Sequence, residues 1–142
     1  MLRLLQGTIR VEGVDREDFT SNEHPVDKIR DVQVYLETGQ PEQTIAIAPV
    51  KWGGECRVEV HMNVRALGDG SVKVSGTTIL FEGASEETGE EEDRATIDFS
   101  VPRTTRNVPP RHHHISMRNR TLIGAEDSAE VFFTLSNTIV EE

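Results

Sequence analysis

The strict alternation of apolar and polar residues in the central segment is the strongest constraint on how this chain folds. Apolar side chains occupy every second position from Val58 to Ala66, and arginine, glutamate, histidine and asparagine stand between them. A period of two is typical of a half-buried β-strand. The turn Gly68-Asp69-Gly70 follows, and Val72 and Val74 resume the alternation. Since Asp-Gly supplies the positive φ that tight turns need, this segment predicts a β-hairpin.

Six further segments alternate in the same way, so the sequence predicts about eight strands. After Gly76 the apolar positions shift to Ile79 and Phe81, which predicts a β-bulge or a sheet switch near Ser75–Thr78. Only the connection 15–29 has room for a helical turn. The other predicted strands are centred on Leu2–Val11, Val32–Leu36, Ile45–Ile47, Ile97–Val101, His113–Met117 and Ala129–Leu135.

Eight short strands with turn signals between them predict one all-β domain over residues 1–142, an antiparallel β-sandwich. We expect Greek-key connections of a C2-like, immunoglobulin-like or jelly-roll-like kind, with a small closed barrel as the alternative. The length of 142 residues is typical of one domain. A single cysteine, Cys56, cannot form an internal disulfide, and together with the lack of a signal peptide or apolar span this favours the cytoplasm.

The net charge of −10 narrows the range of partners. Nucleic-acid binding is dominated by cationic contacts to phosphate, so we do not expect a nucleic-acid partner. An anionic membrane is expected to bind only if a cation bridges the two surfaces. A protein partner, or a second copy of the chain, is therefore the expected kind of ligand.

Much of the negative charge lies in the segment between the predicted strands that end at Phe81 and begin near Ile97. Residues 84–94 carry six carboxylates and one arginine. If the strands alternate in direction, this loop shares one end of the sandwich with residues 13–29 and with the last loop, which would give the molecule one strongly acidic end. The candidate calcium ligands are Glu86, Glu87, Glu90, Glu91, Glu92, Asp93 and Asp127.

Calcium prefers six to eight oxygen ligands and tolerates flexible loops, so carboxylates from several loops suit it. The arrangement is similar in outline to C2-type sandwiches, which gather calcium ligands in the loops at one end. The resemblance implies a calcium-dependent binding module, and calcium is the only cofactor it suggests. A charge run that is merely solvated is the other interpretation, and the composition favours it.

A histidine run, His112 to His114, lies in a predicted strand. On a strand, His112 and His114 point the same way and could hold a transition metal with a third ligand. His61 also points outward on its own strand and is a candidate for that ligand if the strands are neighbours. Ordinary strand histidines are the simpler interpretation.

Two further features could contact a partner. Trp52 stands beside the turn Gly53-Gly54 and could be either an exposed binding aromatic or a side chain that closes the end of the core. The segment 102–111 is rich in proline and carries Arg103, Arg106 and Arg111, so it predicts an exposed basic loop that could dock an acidic surface.

The residues contain no phosphate-binding, nucleophile-elbow or zinc-protease motif. The predicted function is therefore a non-enzymatic binding or structural module that presents its acidic loops to a partner. The first alternative is the calcium-dependent module, and the second is an enzyme of unknown type.

Overall fold

The computed structural model describes residues 1–14, 26–118 and 127–140, and these residues form nine β-strands. All eight predicted strands are present, and a short ninth strand precedes the central hairpin. No helix suited by length and apolarity to crossing a membrane occurs in the described residues. The strands are β1 Leu2–Val14, β2 Val26–Glu37, β3 Gln43–Ile45, β4 Val50–Trp52, β5 Cys56–Ala66, β6 Val72–Glu82, β7 Glu91–Val101, β8 Arg111–Arg118 and β9 Ser128–Ile139. The part of 15–29 that was open to a helical turn is strand from Val26 onward, and the rest lies outside the described residues.

The strands form two antiparallel sheets that pack face to face. One has the order β2-β1-β9-β8, and the other has the order β3-β5-β6-β7, with β4 also paired to β5. Inward-facing side chains of both sheets make a single core, which includes Ile9, Met62, Ile97 and Phe133. The predicted all-β sandwich is confirmed.

The strand order is that of a meander. Apart from β1 and β9, paired strands follow one another in sequence, with β3 and β4 lying in turn along one edge of β5. The Greek-key expectation is wrong for the described strands. Alternation reports which face of a strand is buried, but it does not report which strand lies beside it, so the sequence could not distinguish the two orders.

The predicted bulge or sheet switch near Ser75–Thr78 is also wrong, because β6 stays in one sheet from Val72 to Glu82. The β5–β6 ladder runs without a shift from Cys56↔Glu82 to Ala66↔Val72. Thr78 takes the inward position and is fully buried, with its Oγ1 2.9 Å from Met117 Sδ on the facing sheet. Phe81 points outward under the Arg57 guanidinium, whose carbon lies 4.2 Å from the ring centroid. The irregularity lies instead in the β6–β7 ladder, between Leu80 and Phe81.

Of the acidic loops that the sequence assigns to one end of the sandwich, the loop between β6 and β7 lies in the described residues. Because β3 and β4 are both antiparallel to β5, they run in the same direction and count as one strand for the alternation of loops. The loop between β6 and β7 therefore lies beside the turn after β4, where Lys51 Nζ is 3.2 Å from Glu87 Oε1. We call this the acidic end. The loops 15–25 and 119–126 lie outside the described residues.

Gly76 provides a test of the uninterrupted β5–β6 ladder. Its φ is +133°, and a Cβ at this position would lie 1.9 Å from the His61 carbonyl oxygen. Gly76→Ala is expected to lower the free energy of unfolding by about 3 kcal/mol, since both the backbone conformation and the ladder oppose a side chain. Gly68→Ala is the control, because nothing lies within 4 Å of a Cβ there. Chemical denaturation measures both, and equal small effects would contradict the close strand approach.

Candidate functional site

The acidic loop is held against the protein by its own carboxylates. Glu86 Oε2 accepts a hydrogen bond from the Gly54 amide at 3.0 Å, and the Glu86 carbonyl accepts one from Arg57 at 2.5 Å. Glu87 pairs with Lys51. The side chain of Glu90 is exposed, while its carbonyl accepts a hydrogen bond from the Glu82 amide at 3.1 Å. The loop is thus an ordered surface whose first two carboxylates already have partners.

The following carboxylates belong to strand β7 rather than to the loop. Glu91 Oε1 lies 2.9 Å from Arg94 Nε. Asp93 accepts hydrogen bonds from two backbone amides, that of Arg94 at 2.8 Å and that of Arg118 at 2.9 Å. Glu92 is exposed at the irregular point of the β6–β7 ladder. Asp93 therefore ties β7 to the end of β8, in the opposite sheet.

The described residues do not bring the candidate calcium ligands into one cluster. Asp127 is 2% exposed, unlike the surface carboxylates of the loop. Across residues 1–14, 26–118 and 127–140, no group of three or more histidine, cysteine or carboxylate side chains is placed to hold a metal ion.

His112 and His114 point outward on the same side of β8, as the alternation predicted. His112 Nδ1 lies 3.1 Å from Thr134 Oγ1, and His114 Nε2 lies 2.5 Å from Glu130 Oε2. His61 faces outward from the other sheet, with Nε2 2.9 Å from Glu59 Oε1. The third ligand proposed for a transition metal is therefore on the opposite side of the molecule.

A three-layer stack of side chains crosses the four-stranded sheet next to His112. The sequence alone did not predict it. The ring of His114 lies parallel to Phe132, with centroids 4.5 Å apart and 5° between planes. The Arg10 guanidinium carbon lies 4.8 Å from the Phe132 centroid. Since β1 and β8 flank β9, the two groups reach Phe132 from opposite sides. An aromatic at an outward position of an otherwise regular strand was the signal for it.

The stack belongs to a regular pattern on the solvent side of this sheet, which we call the outer face. The strand registers align its side chains in rows across β2, β1, β9 and β8. From the far end toward the acidic end, four successive rows are the amide row (Gln33, Gln6, Ser136), the threonine row (Asp31, Thr8, Thr134, His112), the stack row (Ile29, Arg10, Phe132, His114) and the acid row (Asp27, Glu12, Glu130, Ser116).

A groove runs over the threonine row because Thr8 and Thr134, at the middle of that row, are shorter than Arg10 and Phe132 beside them in the stack row. One part, of about 480 Å³, is bounded by the stack, His112 and Thr134. A second part, of about 420 Å³, shares Thr134 and extends over the amide row to Pro110. The outer face thus has a ridge, the stack row, beside a groove of small hydroxyl side chains.

The outer face differs in chemistry from the solvent side of the other sheet. Its amide, threonine and stack rows contain only two side chains that are charged at neutral pH, Arg10 and Asp31. Ile29 and Tyr35, which are 56% and 52% exposed, also lie on it. The other charged side chains of the four rows, Asp27, Glu12 and Glu130, are confined to the acid row. The solvent side of β5–β7 instead carries seven charged side chains spread along its strands: Arg57, Glu59, Arg65, Lys73, Glu91, Arg94 and Asp98.

Trp52 takes the structural role rather than the binding role. It is 5% exposed and closes the core at the acidic end, where a Cβ on Gly13 would lie 2.6 Å from its ring. Arg103 and Arg106 are exposed on the loop after β7. That loop is fixed to β9 by a 2.7 Å hydrogen bond from the Thr104 amide to the Asn137 carbonyl. Arg111 is exposed at the start of β8, with its guanidinium carbon 5.9 Å from the Phe99 ring centroid.

Comparison with known proteins gives no further guide to the site. No protein-family model, curated protein or solved structure matches this chain.

His113 faces inward between the two outward histidines and stacks on Phe99, with ring centroids 4.4 Å apart. Burial lowers the pKa of His113 from its ordinary value of 6.5, and the positive charges of Arg111 and His114 lower it further. Folding therefore favours the neutral form of this half-buried histidine, which lies beneath the outer face.

This pKa shift has a stability consequence. As the pH falls through 6.5, the unfolded chain binds a proton at His113 more readily than the folded chain does, so stability is lost on acidification. Phenylalanine at position 113 cannot titrate. The free energy of unfolding of His113→Phe, measured relative to the wild type by urea titration, is expected to rise as the pH is lowered from 7.5 to 5.5. A difference that stays constant with pH would contradict the lowered pKa of His113.

The carboxylate contacts also predict the response to calcium. Glu86, Glu87, Glu91 and Asp93 each have a donor or cation from the chain itself, so a calcium ion would have to displace these partners. We expect millimolar calcium to change the melting temperature by no more than about 1 °C, as magnesium does at equal ionic strength. A calcium-specific rise that grows with concentration as RT ln(1 + [L]/Kd) would support the calcium-dependent alternative.

Proposed function

We propose that this protein is a non-enzymatic interaction module that binds a protein partner through the outer face of its four-stranded sheet. The observation that carries the proposal is the difference between the two solvent-facing sheet surfaces. Buried centres of protein interfaces are poor in charged side chains and rich in aromatic residues and arginine. The amide, threonine and stack rows have this composition, whereas charged side chains occur along the whole surface of β5–β7.

The geometry of the stack supports the same function. Both outer members of the stack contact a carboxylate. Arg10 Nε lies 3.6 Å from Asp27 Oδ1, and the His114 ring contacts Glu130. Side chains that are fixed before binding lose less conformational entropy when a partner covers them. Aromatic and arginine side chains of this kind are the usual energetic centres of interfaces. The stack would therefore act as the anchor of the contact.

The acidic end has a different role in this proposal. Its carboxylates are exposed or locally paired, and exposed ion pairs contribute little to binding energy. Their charge does restrict how a partner can approach, because facing like charges are strongly unfavourable. We propose that the acidic end limits the orientation in which a partner docks and that the outer face holds it, in the cytoplasm.

A charge placed in the groove tests the proposal. Thr134→Arg puts a long cationic side chain between the stack and the amide row. The control is Thr96→Arg, the same substitution at an exposed threonine in β7, on the other sheet. We expect the wild type and Thr96→Arg to retain the same protein from native cell extract and Thr134→Arg to lose it. Thermal unfolding shows that each variant is folded, and retention by Thr134→Arg would contradict the role of the outer face.

A further inference from the structure

The outer face is complementary to itself. Most side chains of the amide and threonine rows are hydroxyls, amides or imidazoles, which both donate and accept hydrogen bonds. A surface made of such groups can pair with a copy of itself, which is what a two-fold symmetric contact requires. The ridge and groove add a matching shape, because the stack row stands directly beside the row of small threonines.

We infer that the partner covering this face is a second copy of the chain, in a face-to-face dimer. This inference rests on the proposed function and identifies its partner. The two-fold axis lies across the strands, between the threonine row and the stack row, near the middle of the outer face. The stack row of each copy then enters the groove of the other, so that Phe132 of one chain meets Thr134 of the second.

The same axis sets the other contacts. The amide row of one copy lies over the acid row of the other, which places Gln6 opposite Glu12 and Gln33 opposite Asp27. Each of these pairs joins an amide N–H donor to a carboxylate, and the carboxylate keeps accepting capacity beside its contact with Arg10 of the same chain. An axis along the strands would instead lay acid row on acid row. The carboxylates therefore select the orientation in which the strands of the two copies run in opposite directions.

The area agrees with a dimer contact of ordinary size. Four strands about 4.8 Å apart and roughly 11 residues long, at about 3.4 Å per residue, present about 700 Å². Stable interfaces bury about 800 Å² on each partner. Because much of the contact is polar, we expect association in the micromolar range, since area alone does not give tight binding.

Sedimentation velocity over concentrations from about 1 to 500 μM, at constant salt, tests the inference. The wild type should approach twice the mass of the 15.9 kDa chain as concentration rises. Thr134→Arg should stay monomeric, and Thr96→Arg should dimerise as the wild type does. A wild type that is monomeric throughout overturns the second-copy inference. The proposed function then stands or fails separately, on whether Thr134→Arg loses the captured protein.

An amide–carboxylate exchange tests the orientation. Gln6→Glu places a carboxylate opposite Glu12 twice in each dimer and should weaken association at least about tenfold, because facing like charges are strongly unfavourable. Adding Glu12→Gln restores the pairing with its two sides exchanged. Because Glu12 also pairs with Arg10 of its own chain, the reference is Glu12→Gln alone, and the dimerisation constant of the double variant should lie within about threefold of that reference. The net charge of the double variant equals that of the wild type.

An effect of Glu12→Gln that depends on the residue at position 6 can arise only between the two copies of the dimer. Gln6 and Glu12 are six residues apart on one strand, about 20 Å, which is too far for a direct effect within one chain. Dimerisation that Gln6→Glu leaves unchanged, or that the second substitution fails to restore, overturns the proposed axis.

Discussion

The pairing of the first strand with the last is the constraint on which the rest of the structure depends. β1 and β9 are joined over twelve consecutive register positions, from Arg3↔Ile139 to Val14↔Ser128. These two strands are the centre of the four-stranded sheet, and β2 and β8 are added at its edges. Every row of the outer face crosses this ladder. A slip of one residue would turn Phe132 into the core and Phe133 out to solvent, and would remove the stack. Because the pairing closes nearly the whole chain into one loop, it carries a large closure entropy and should form late in folding.

Local patterns predicted the strands well because each strand has one buried face. The β5–β6 hairpin could be read from the alternation in Val58–Ala66 and the Gly68-Asp69-Gly70 turn. The error at Ser75–Thr78 came from treating Thr78 as an outward residue. Its hydroxyl is buried beside the Met117 sulfur, a contact between residues 39 positions apart that no local pattern contains. Ile79 and Phe81 were read as core, yet they lie on the other side of the strand, where Arg57 covers the Phe81 ring.

The site was harder to predict than the fold because it depends on which strands are neighbours. The sequence places His112 and His114 on one side of a strand but cannot show that Arg10 and Phe132 lie beside them, since Arg10 is more than 100 residues away. The candidate sites predicted from the sequence, Glu86–Asp93 and the histidines, were runs of side chains of the same type. In the structure the carboxylates of that run are divided between a loop and a strand, and its paired members are held by Gly54, Lys51, Arg94 and backbone amides. The outer face has no such run, because its residues come one or two at a time from four strands.

The acidic end and the outer face have connected roles in the proposed dimer. A molecule with a net charge of −10 repels its own copies, and the repulsion is greatest when the acidic ends meet. In a dimer with its axis across the strands, the two acidic ends lie at opposite extremes, farther apart than the Debye length of about 8 Å at physiological salt. Stacking the outer faces with their strands running in the same direction would bring the acidic ends together. The negative charge thus disfavours association of two copies in other orientations and permits the one with antiparallel strands. The rows with few charged side chains supply the contact. In the proposed dimer, the carboxylates at one end of the sandwich and the scarcity of charge on the middle of the outer face together specify the partner and its orientation.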